Sequence, residues 1–312
     1  MTNSGNKPTI VLIGSYLVAL VMDVDRIPVV GETVMARNFR EAFGGKGSDM
    51  AVQAARLGAP VTFVGCVGDD DFGRAFIKLM QDEGVNIDLL QSRSELATGA
   101  GFIIKGGGKN IITIDIGANQ LFSPAHVTKA LPYMTPDSVV LIQLEIPLET
   151  ALHAAMLGHQ QHATVIFNPA PAQDMRNQDL SVVDIFTPNE TEARVCLDLE
   201  PTDPTPDVEI ARRLLALGCR TVVMTLGERG SLIVTPDDVI EVPSFEFDNI
   251  VDSNGAGDSF NASLATGLLE GKTLPEAARF ANAVAGLCCT RWDTVPSYHT
   301  RQEVEDFIKQ NS

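Results

Sequence analysis

The stretch DSNGAGDSF, residues 252–260, places small and acidic residues directly before a helical pattern. The apolar residues of the following FNASLATGLLEG recur at helical spacing, and Gly271 stands where a helix should stop. The small residues therefore lie at a helix N-terminus, where the first N–H groups have no partner within the helix and the dipole places partial positive charge. Glycines there let another molecule approach the backbone closely, which suits an anion.

Two interpretations of this stretch are open from the residues alone. Gly255, Ala256 and Gly257 could bind an anion through their N–H groups, with Asp258 beside it. Alternatively, an Asp or a Ser simply caps an ordinary helix, because Asp is favoured in that first turn. The rest of the chain has to decide between them.

A second Gly-rich turn, GGKG, opens the helical pattern KGSDMAVQAARLG. In the Walker phosphate loop, four residues separate an earlier Gly from the Gly-Lys pair, and a Ser or Thr follows the pair. Gly45–Lys46 is followed by another Gly, and Arg40 stands at the earlier position, so this turn is not that motif. Glycines are costly in backbone entropy, so Gly44 and Gly45 predict the close approach of another group. The KGGGK run at 105–109 lies between apolar strands and predicts a hairpin turn.

Polar residues also end other apolar runs. Glu145 ends LIQLE, and Asn189 and Glu192 lie in TPNETEA. Asn189 and Glu192 are three residues apart at a helix start, so they share a face and can form a capping box. The same pair is compatible with a hydrated Mg²⁺, which needs only one or two protein carboxylates or amides nearby.

The composition restricts the class of protein and its partners. The chain has 312 residues, 45% hydrophobic and 20% charged, with a formal net charge of −17. These values are typical of a globular protein with a large core. The negative charge disfavours nucleic acid and acidic membranes as partners, and an anionic substrate would need local positive potential.

The cysteines, the histidines and one apolar stretch bear on metal binding and on the compartment. Five scattered cysteines without a C-x-x-C predict reduced thiols rather than disulfides or a zinc site. His153, His159 and His162 fall where a helix runs into a loop, which favours solvent-exposed side chains over a metal site. The apolar stretch at 10–22 lacks a cleavage site and is too short to span a bilayer, so it predicts a buried strand that continues into a second element. We therefore expect a cytoplasmic protein.

Apolar runs alternate with helical patterns along most of the chain. We assign buried strands to TIVLIG, VTFVGCVG, SVVLIQLE, ATVIFNPAP, SVVDIFTPNE and TVVMTLGERG. Helical patterns such as DFGRAFIKLMQDEG and DVEIARRLLALG lie between them. The alternation predicts a mostly parallel sheet covered by helices on both faces, with ligands at the carboxyl ends of the strands.

Two segments, residues 15–43 and 97–118, interrupt the alternation and predict β ribbons with turns at PVVGE and KGGGK. Neither is followed by a covering helix before the next Gly-rich turn. We interpret them as a small sheet that forms a lid on a single α/β domain spanning residues 1–312. The sequence shows no internal repeat, low-complexity tract or long linker that would indicate a second domain.

Taken together, these stretches resemble the ribokinase (PfkB) family of carbohydrate kinases over nearly the whole chain. GGKGSDMAVQAARLG resembles the N-terminal signature of that family and DSNGAGDSFNASLATG the C-terminal one, with FNPAPA, TPNETEA and TLGERG between them in the expected order. The resemblance implies a three-layer α/β/α, Rossmann-like fold with a β-sheet lid and a homodimer formed through that lid. It also implies transfer of the γ-phosphoryl group of ATP to a sugar hydroxyl.

The resemblance gives the opening stretch a catalytic role. Gly255, Ala256 and Gly257 would donate N–H groups to the phosphoryl group in transfer, and Asp258 would accept the proton of the attacking hydroxyl. The transition state of phosphoryl transfer is loose, so catalysis would come mostly from positioning and charge stabilisation. Because a helix N-terminus favours a carboxylate, we expect Asp258 to be ionised at neutral pH.

The resemblance also implies sites for ATP and for metal ions. Asn189 and Glu192 would organise Mg²⁺ through water. The ATP site would be lined by Asn189, Thr225, Gly227, Gly230 and Asn282. A K⁺ ion, often bound near the anion hole in this family, would lie among Asp252, Asn254, Cys288, Arg291, Asp293 and Ser297, mostly through backbone carbonyls. Asn254 stands where the family usually has Thr, and Asp293 where it usually has Gly, so the ion site departs from the family pattern at two positions.

The implied sugar site departs furthest from the family pattern. It would comprise Gly44, Gly45, Lys46, Asp49, Glu145, Leu17 and Ala19. Lys46 and Glu145 are retained, but Asp49 replaces the usual Asn, and Leu17 and Ala19 replace the Asn and Asp that hold sugar hydroxyls. Asp23 shares a strand face with Ala19 but lies roughly 13 Å away, too far to substitute. Ribose is therefore expected to be a poor substrate.

These observations predict an ATP-dependent kinase that acts on a sugar or a sugar-like alcohol. A nucleoside kinase of the same fold is the alternative within this chemistry. A ligand-binding or regulatory protein without turnover is the alternative outside it. The retained Asp258 argues against that last alternative, whereas the altered sugar residues argue weakly for it.

Overall fold

A computed structural model of the protein describes residues 8–107 and 109–311. Within them the strands are, in chain order, β1 Ile10–Ile13, β2 Leu17–Asp23, β3 Arg37–Gly44, β4 Val61–Gly68, β5 Asn86–Arg93, β6 Gly99–Gly106, β7 Lys109–Asp115, β8 Val139–Ile142, β9 Thr164–Phe167, β10 Ile185–Phe186, β11 Thr221–Thr225, β12 Ser231–Val234 and β13 Val239–Val242. The helices are α1 Lys46–Arg56, α2 Asp71–Asp82, α3 Pro124–Val127, α4 Leu148–Gln160, α5 Glu190–Cys196, α6 Asp207–Leu215, α7 Ala256–Leu269, α8 Leu274–Cys288 and α9 Arg301–Gln310.

The larger sheet is mostly parallel, as the alternation of strands and helices predicts. In the described part of the chain it has nine strands in the order β13-β12-β11-β10-β9-β8-β1-β4-β5. The strands from β11 to β5 pair in parallel, and only the pairs that involve β12 are antiparallel. The sequence analysis did not assign β5, β12 or β13, which extend the sheet at its two edges.

The core consists of two apolar layers, one on each face of the larger sheet. Strand β1 is fully buried, and its alternate side chains point into opposite layers because successive residues of a strand face opposite sides. Val11 and Ile13 pack with residues of α4, α5 and α6, whereas Ile10 and Leu12 pack with residues of α1, α2, α7 and α8. The predicted three-layer α/β/α class is therefore confirmed.

The two predicted ribbons form one small sheet, which we call the lid. Its order is β3-β2-β6-β7, and parallel pairing between β2 and β6 joins the two excursions. The PVVGE turn is present, since the N–H of Glu32 donates to the carbonyl oxygen of Val29 at 3.0 Å. It lies within a loop at 24–36 rather than at the tip of a tight hairpin. Gly108 of the KGGGK turn lies outside the described residues, as do residues 1–7 and 312 of the predicted domain.

The lid contacts the core through the loop after α8. The Arg40 guanidinium of β3 lies 3.1 Å from the Asp293 carboxylate, and the Thr294 hydroxyl donates to the carbonyl oxygen of Phe43 at 3.0 Å. On β6, which β2 separates from β3, the Lys105 ammonium lies 6.0 Å from the ring centroid of Trp292. One short loop therefore touches two strands of the lid.

Several predictions about individual residue types can be compared with the structure. All five cysteines are free thiols, as predicted. His162 is exposed, but His153 and His159 are half-buried on α4 and not solvent-exposed as predicted, and within the described ranges no cluster of three or more His, Cys, Asp or Glu could hold a metal ion. The stretch at 10–22 splits into β1 and most of β2, as predicted. Across those same ranges, no helix is both long and apolar enough to cross a bilayer.

Candidate active site

Helix α7 starts with N–H groups that face open space. Gly255 precedes it in a left-handed conformation with a φ of 77°, and no side chain caps the helix, so the interpretation as an ordinary capped helix is wrong. The N–H groups of Gly257 and Asp258 have no hydrogen-bond partner within the described residues, and that of Ala256 donates weakly to the Ser253 carbonyl oxygen at 3.3 Å. A Cβ atom added at Gly257 would meet nothing within 4 Å. A ligand can therefore reach this helix start.

Asp258 and Lys46 face each other beside this helix start. The Lys46 ammonium lies 3.8 Å from the Asp258 carboxylate, which is buried. Burial is the main reason why the pKa of Asp258 rises to about 6, with Glu145 and Glu192 adding to the rise and Lys46 opposing it. The carboxyl is still mostly ionised at pH 7, but its pKa is above the ordinary value and not below it, as the helix N-terminus alone would have predicted. The nearby Asp258 charge raises the pKa of Lys46, which stays cationic.

Glu145 holds the GGKG turn in place. One of its carboxylate oxygens accepts hydrogen bonds from the Ser15 hydroxyl at 2.6 Å and from the backbone N–H of Lys46 at 2.8 Å. The Gln143 amide in turn donates to the Ser15 hydroxyl at 2.8 Å. Because Glu145 follows β8 and Ser15 follows β1, the carboxyl ends of two neighbouring strands position Lys46.

The close approach predicted for the GGKG glycines comes from the protein itself. Gly45 has a φ of 89°, and a Cβ atom there would lie 2.7 Å from the backbone nitrogen of Leu17. A Cβ atom on Gly44 would lie 3.3 Å from the backbone oxygen of Leu17, in a lid strand. The glycines therefore let α1 and β3 pack tightly against β2.

The expected sugar-site residues lie under the lid. Asp49 on α1 is only 3% exposed, and its Oδ1 atom has no hydrogen-bond partner among the described residues. Leu17 is buried against Gly99, where an added Cβ atom would lie 2.4 Å from the leucine side chain. Ala19 is half-buried. The positions that hold polar side chains in the family pattern thus form an apolar surface on β2.

A large cavity of about 960 Å³ opens at the carboxyl ends of the strands, and we call it the main cavity. The predicted site residues that line it are Lys46, Asn189, Glu192, Thr225, Gly227, Gly230, Ala256, Gly257, Asp258 and Asn282. Every residue predicted to line the ATP site is therefore on its wall. The wall of the main cavity does not include Gly255, the remaining expected sugar-site residues or the expected K⁺ residues.

The wall of the main cavity also contains residues that the sequence analysis did not name. Phe245, Phe247 and Ile250 belong to the segment between β13 and α7. The Phe247 ring stacks on Phe307 of α9 with centroids 4.9 Å apart. Gly286 makes room for this ring, because a Cβ atom there would lie 2.0 Å from it. The available signal was the pair of aromatic residues in SFEF directly after an apolar run.

Asn189 and Glu192 form the predicted capping box at the start of α5. The Asn189 side chain accepts from the backbone N–H of Glu192, and the Glu192 carboxylate accepts from that of Asn189, both at 2.8 Å. The second carboxylate oxygen of Glu192 has no hydrogen bond within the described residues, and this side chain lines the main cavity. One free carboxylate oxygen fits a hydrated Mg²⁺ whose other ligands are water and phosphate.

The structure brings together most of the expected K⁺ residues. The two carboxylate oxygens of Asp252 accept from the backbone N–H groups of Asn254 at 3.0 Å and Asp293 at 3.2 Å. The Cys288 thiol contacts the Asn254 carbonyl oxygen at 3.6 Å and the Ser297 hydroxyl at 3.1 Å. Asp293 has a φ of 66°, so it adopts the left-handed conformation that a glycine would favour there.

Arg291 is the exception among the expected K⁺ residues. Its exposed side chain forms an ion pair with Glu303 at 2.7 Å. An arginine side chain has no acceptor atom and is always charged, so only its backbone carbonyl oxygen could face a cation.

A family model and two sequence relatives assign this chain to the same family. A family model described as pfkB family carbohydrate kinase matches residues 7–301. A ribokinase of Bacillus subtilis is 36% identical over 299 residues, covering 96% of this chain and 99% of that protein. A deoxyribokinase of Salmonella typhi is 32% identical over 307 residues, covering 97% and 99%.

A solved structure agrees with these sequence relatives. The Arabidopsis thaliana ribokinase complexed with ribose and ATP superposes with a TM-score of 0.88 at 29% identity, covering 97% of this chain and 99% of that one. The match spans both the larger sheet and the lid. The chain belongs to the pfkB family of carbohydrate kinases.

Proposed function

We propose that this protein transfers the γ-phosphoryl group of ATP to a hydroxyl of a sugar or sugar-like alcohol. The observation that carries the proposal is the Lys46–Asp258 pair at 3.8 Å beside the uncapped start of α7, on the wall of the main cavity. A cavity of about 960 Å³ is large enough for a nucleotide. The named relatives are a ribokinase and a deoxyribokinase, and Lys46 and Asp258 would supply the charged groups that such a reaction needs in this chain.

In the proposed mechanism, Asp258 accepts the proton of the acceptor hydroxyl as its oxygen attacks the γ-phosphorus. The oxygen–phosphorus bond forms while the bond to ADP breaks, and the N–H groups of Gly257 and Asp258 stabilise the charge on the phosphoryl oxygens. Lys46 adds positive charge on the same side of the cavity. Glu145 fixes the backbone of Lys46, so this charge is in place before the substrate arrives.

We also propose a role for two metal ions. Mg²⁺ would be held near Glu192 and Asn189 through water and would neutralise charge on the phosphates of ATP. K⁺ would lie among Asp252, Asn254 and the loop that follows α8. The left-handed conformation of Asp293 supports this second site, because the replacement of the usual glycine leaves the backbone in the same region.

The proposal also covers the domain organisation, the oligomeric state and the compartment of the protein. The described residues form two continuous apolar layers around one sheet, which supports a single domain with the lid inserted in it. Exposed apolar residues of the lid support a homodimer, as discussed below. The free thiols support a reducing compartment such as the cytoplasm.

The test is a transfer assay with ATP across a panel of sugars, sugar alcohols and nucleosides. We expect phosphorylation of at least one sugar-like alcohol, and Asp258→Asn should lower turnover by roughly 10²–10⁴ while ATP binding persists, since the variant lacks the proton acceptor. Preference for nucleosides would replace the proposal by a nucleoside kinase. Absence of transfer to any compound, with ATP bound, would support a protein without turnover. Near-normal turnover in Asp258→Asn would remove this residue from the mechanism.

A further inference from the structure

Asp49 is a buried carboxyl group whose hydrogen bonding the protein leaves incomplete. It lies on α1 three residues after Lys46, is 3% exposed, and within the described residues nothing donates to its Oδ1 atom. A buried polar atom without a partner is costly, and a buried unpaired charge more so. Asp49 therefore has a hydrogen-bond acceptor that a ligand can satisfy and the described residues do not.

The charges around Asp49 are mostly negative. Among the described groups that act on it, Asp258 and Glu145 are carboxylates and Lys46 alone is a cation. Lys46 is already engaged, because its ammonium lies 3.8 Å from Asp258 and its backbone N–H binds Glu145. Burial and the two carboxylates raise the pKa of Asp49 well above the ordinary value, so the surroundings in the free protein disfavour the ionised form of this group.

The remaining groups that face Asp49 supply no positive charge. Thr294, from the loop after α8, is a neutral hydrogen-bond partner, and burial raises the pKa of the Tyr298 and Tyr16 hydroxyls, with nearby carboxylates adding to the rise. Both tyrosines are therefore neutral. Arg40 of the lid is paired with Asp293 at 3.1 Å. A cation that neutralises an ionised Asp49 has to come from a ligand.

A carboxyl group at this position selects ligands differently from a carboxamide. The resemblance to the family implies an Asn here, and a carboxamide both donates and accepts hydrogen bonds. An ionised carboxylate only accepts, and its hydrogen bonds to a cation are roughly twice as strong as neutral ones. A negatively charged ligand would meet three carboxyl groups under the lid.

We propose that Asp49 selects an acceptor that carries an ammonium group, so that the substrate is an amino-substituted sugar or sugar-like alcohol. This inference rests on the proposed kinase function and specifies its substrate. On binding, the ammonium group pairs with the Asp49 carboxylate and supplies the hydrogen bond that its Oδ1 atom lacks within the described residues. The acceptor hydroxyl that attacks ATP is then presented to Asp258 from the same side of the site.

The first test measures kcat/KM with ATP for D-ribose and D-glucose and for analogues in which one hydroxyl at a time is replaced by an amino group. With the unmodified protein, at least one amino analogue should exceed its parent by more than tenfold. In Asp49→Asn this ratio should fall at least tenfold. Asp137→Asn is the matched control, because it makes the same change at an exposed residue. Asp137 lies just before β8, at the end of that strand opposite to Glu145. This variant should keep the ratio.

The second test needs no turnover and uses the unmodified protein. Calorimetric titration at pH 7 should show a Kd at least tenfold lower for the preferred amino analogue than for its neutral parent, because the ammonium group pairs with the Asp49 carboxylate. In Asp49→Asn this difference in Kd should fall at least tenfold, whereas Asp137→Asn should keep it.

The outcomes separate this inference from the proposed function. If neutral sugars are phosphorylated but no amino analogue is preferred, or if Asp49→Asn leaves the ratio unchanged, the selection of an ammonium group is wrong and the kinase stands. If the unmodified protein binds the amino analogue no more tightly than its neutral parent, Asp49 does not pair with a cation. If neither neutral nor amino-substituted compounds are phosphorylated, the proposed function itself fails.

Discussion

Asp258 shows how the surroundings of a single residue set its proton affinity. The N-terminus of α7 and Lys46 favour the carboxylate, whereas burial, Glu145 and Glu192 disfavour it, and burial is the larger effect. The resulting pKa of about 6 lies close enough to neutrality for proton transfer in either direction. Asp258 is therefore mostly ionised at pH 7, but a modest fall in pH protonates it.

This pKa predicts an acid limb in the rate. Because Asp258 must be ionised to accept a proton, kcat/KM should fall about tenfold per pH unit below about pH 6 and stay level above it. The measurement is a pH–rate profile with magnesium in excess, so that ATP does not titrate in the same range. A level profile down to pH 5 would contradict the assignment of Asp258 as the base.

Stability should respond to the same group with the opposite sign. Between the ordinary value of 3.8 and about 6, folded Asp258 binds more protons than the unfolded chain does. Its contribution to the free energy of unfolding is therefore fully present below that window and decreases as the pH rises through it. As the pH rises, kcat/KM therefore increases while the contribution of Asp258 to the free energy of unfolding decreases.

The apolar surface of β2 predicts a gain of activity on ribose. Ala19 pairs with Ala42 on one side and Gly101 on the other, so its neighbours are small enough to admit a longer side chain. Ala19→Asp should raise kcat/KM for ribose by roughly 10–100-fold, the effect of one charge-assisted hydrogen bond. The same change should impair the natural substrate. If the unmodified protein already phosphorylates ribose as well as any compound in a broad panel, this interpretation of the surface is wrong.

At the scale of elements, the start of α5 combines a structural role with a proposed ligand role. Asn189→Ser separates the two, because Ser caps helices about as well as Asn but has no amide group. We expect a free energy of unfolding within about 0.5 kcal/mol of the unmodified protein. The KM for ATP with magnesium should rise about tenfold, as for the loss of one hydrogen bond.

Asn189→Ala is the comparison for this element. It removes the cap as well as the amide, so it should lower the free energy of unfolding by about 1 kcal/mol and raise the KM to a similar extent. Chemical denaturation and steady-state kinetics measure the two effects separately. An unchanged KM in Asn189→Ser would leave Asn189 with the cap role alone.

At the scale of the whole molecule, the lid exposes apolar side chains that the chain itself does not cover. Phe39, Phe102, Ile112 and Ile114 are between 47% and 61% exposed, and β3 and β7 are the edge strands of the lid. Exposed apolar edges of this kind mark an interaction surface. We propose that two lids pair in a homodimer.

This proposal predicts a dimer at micromolar concentration by light scattering. Phe102→Glu should shift the protein toward a monomer, because it replaces an exposed apolar side chain of the lid by a charge. Val239→Glu is the matched control, since Val239 is 40% exposed on the edge strand β13 of the larger sheet, outside the lid. A monomeric unmodified protein at that concentration would count against the lid as an interface.

The sequence by itself determined the elements whose signals are local. The alternation of apolar runs and helical patterns predicted the α/β class, and Asn189 with Glu192 predicted a capping box that the structure contains. The end of α7 was also predictable, because Gly271 has a φ of 81° that other residues rarely adopt. In each case the physical cause lies within one or two turns of the chain, so neighbouring residues are sufficient evidence.

Only the tertiary structure decided features that depend on distant parts of the chain. The parallel pairing of β2 with β6 joins two excursions into one lid, and the fit of Phe247 against Gly286 shapes the wall of the main cavity. The raised pKa values of Asp49 and Asp258 likewise arise from burial and from charges on other elements. Burial and electrostatics are sums over neighbours in space, and a single sequence does not specify which residues those neighbours are.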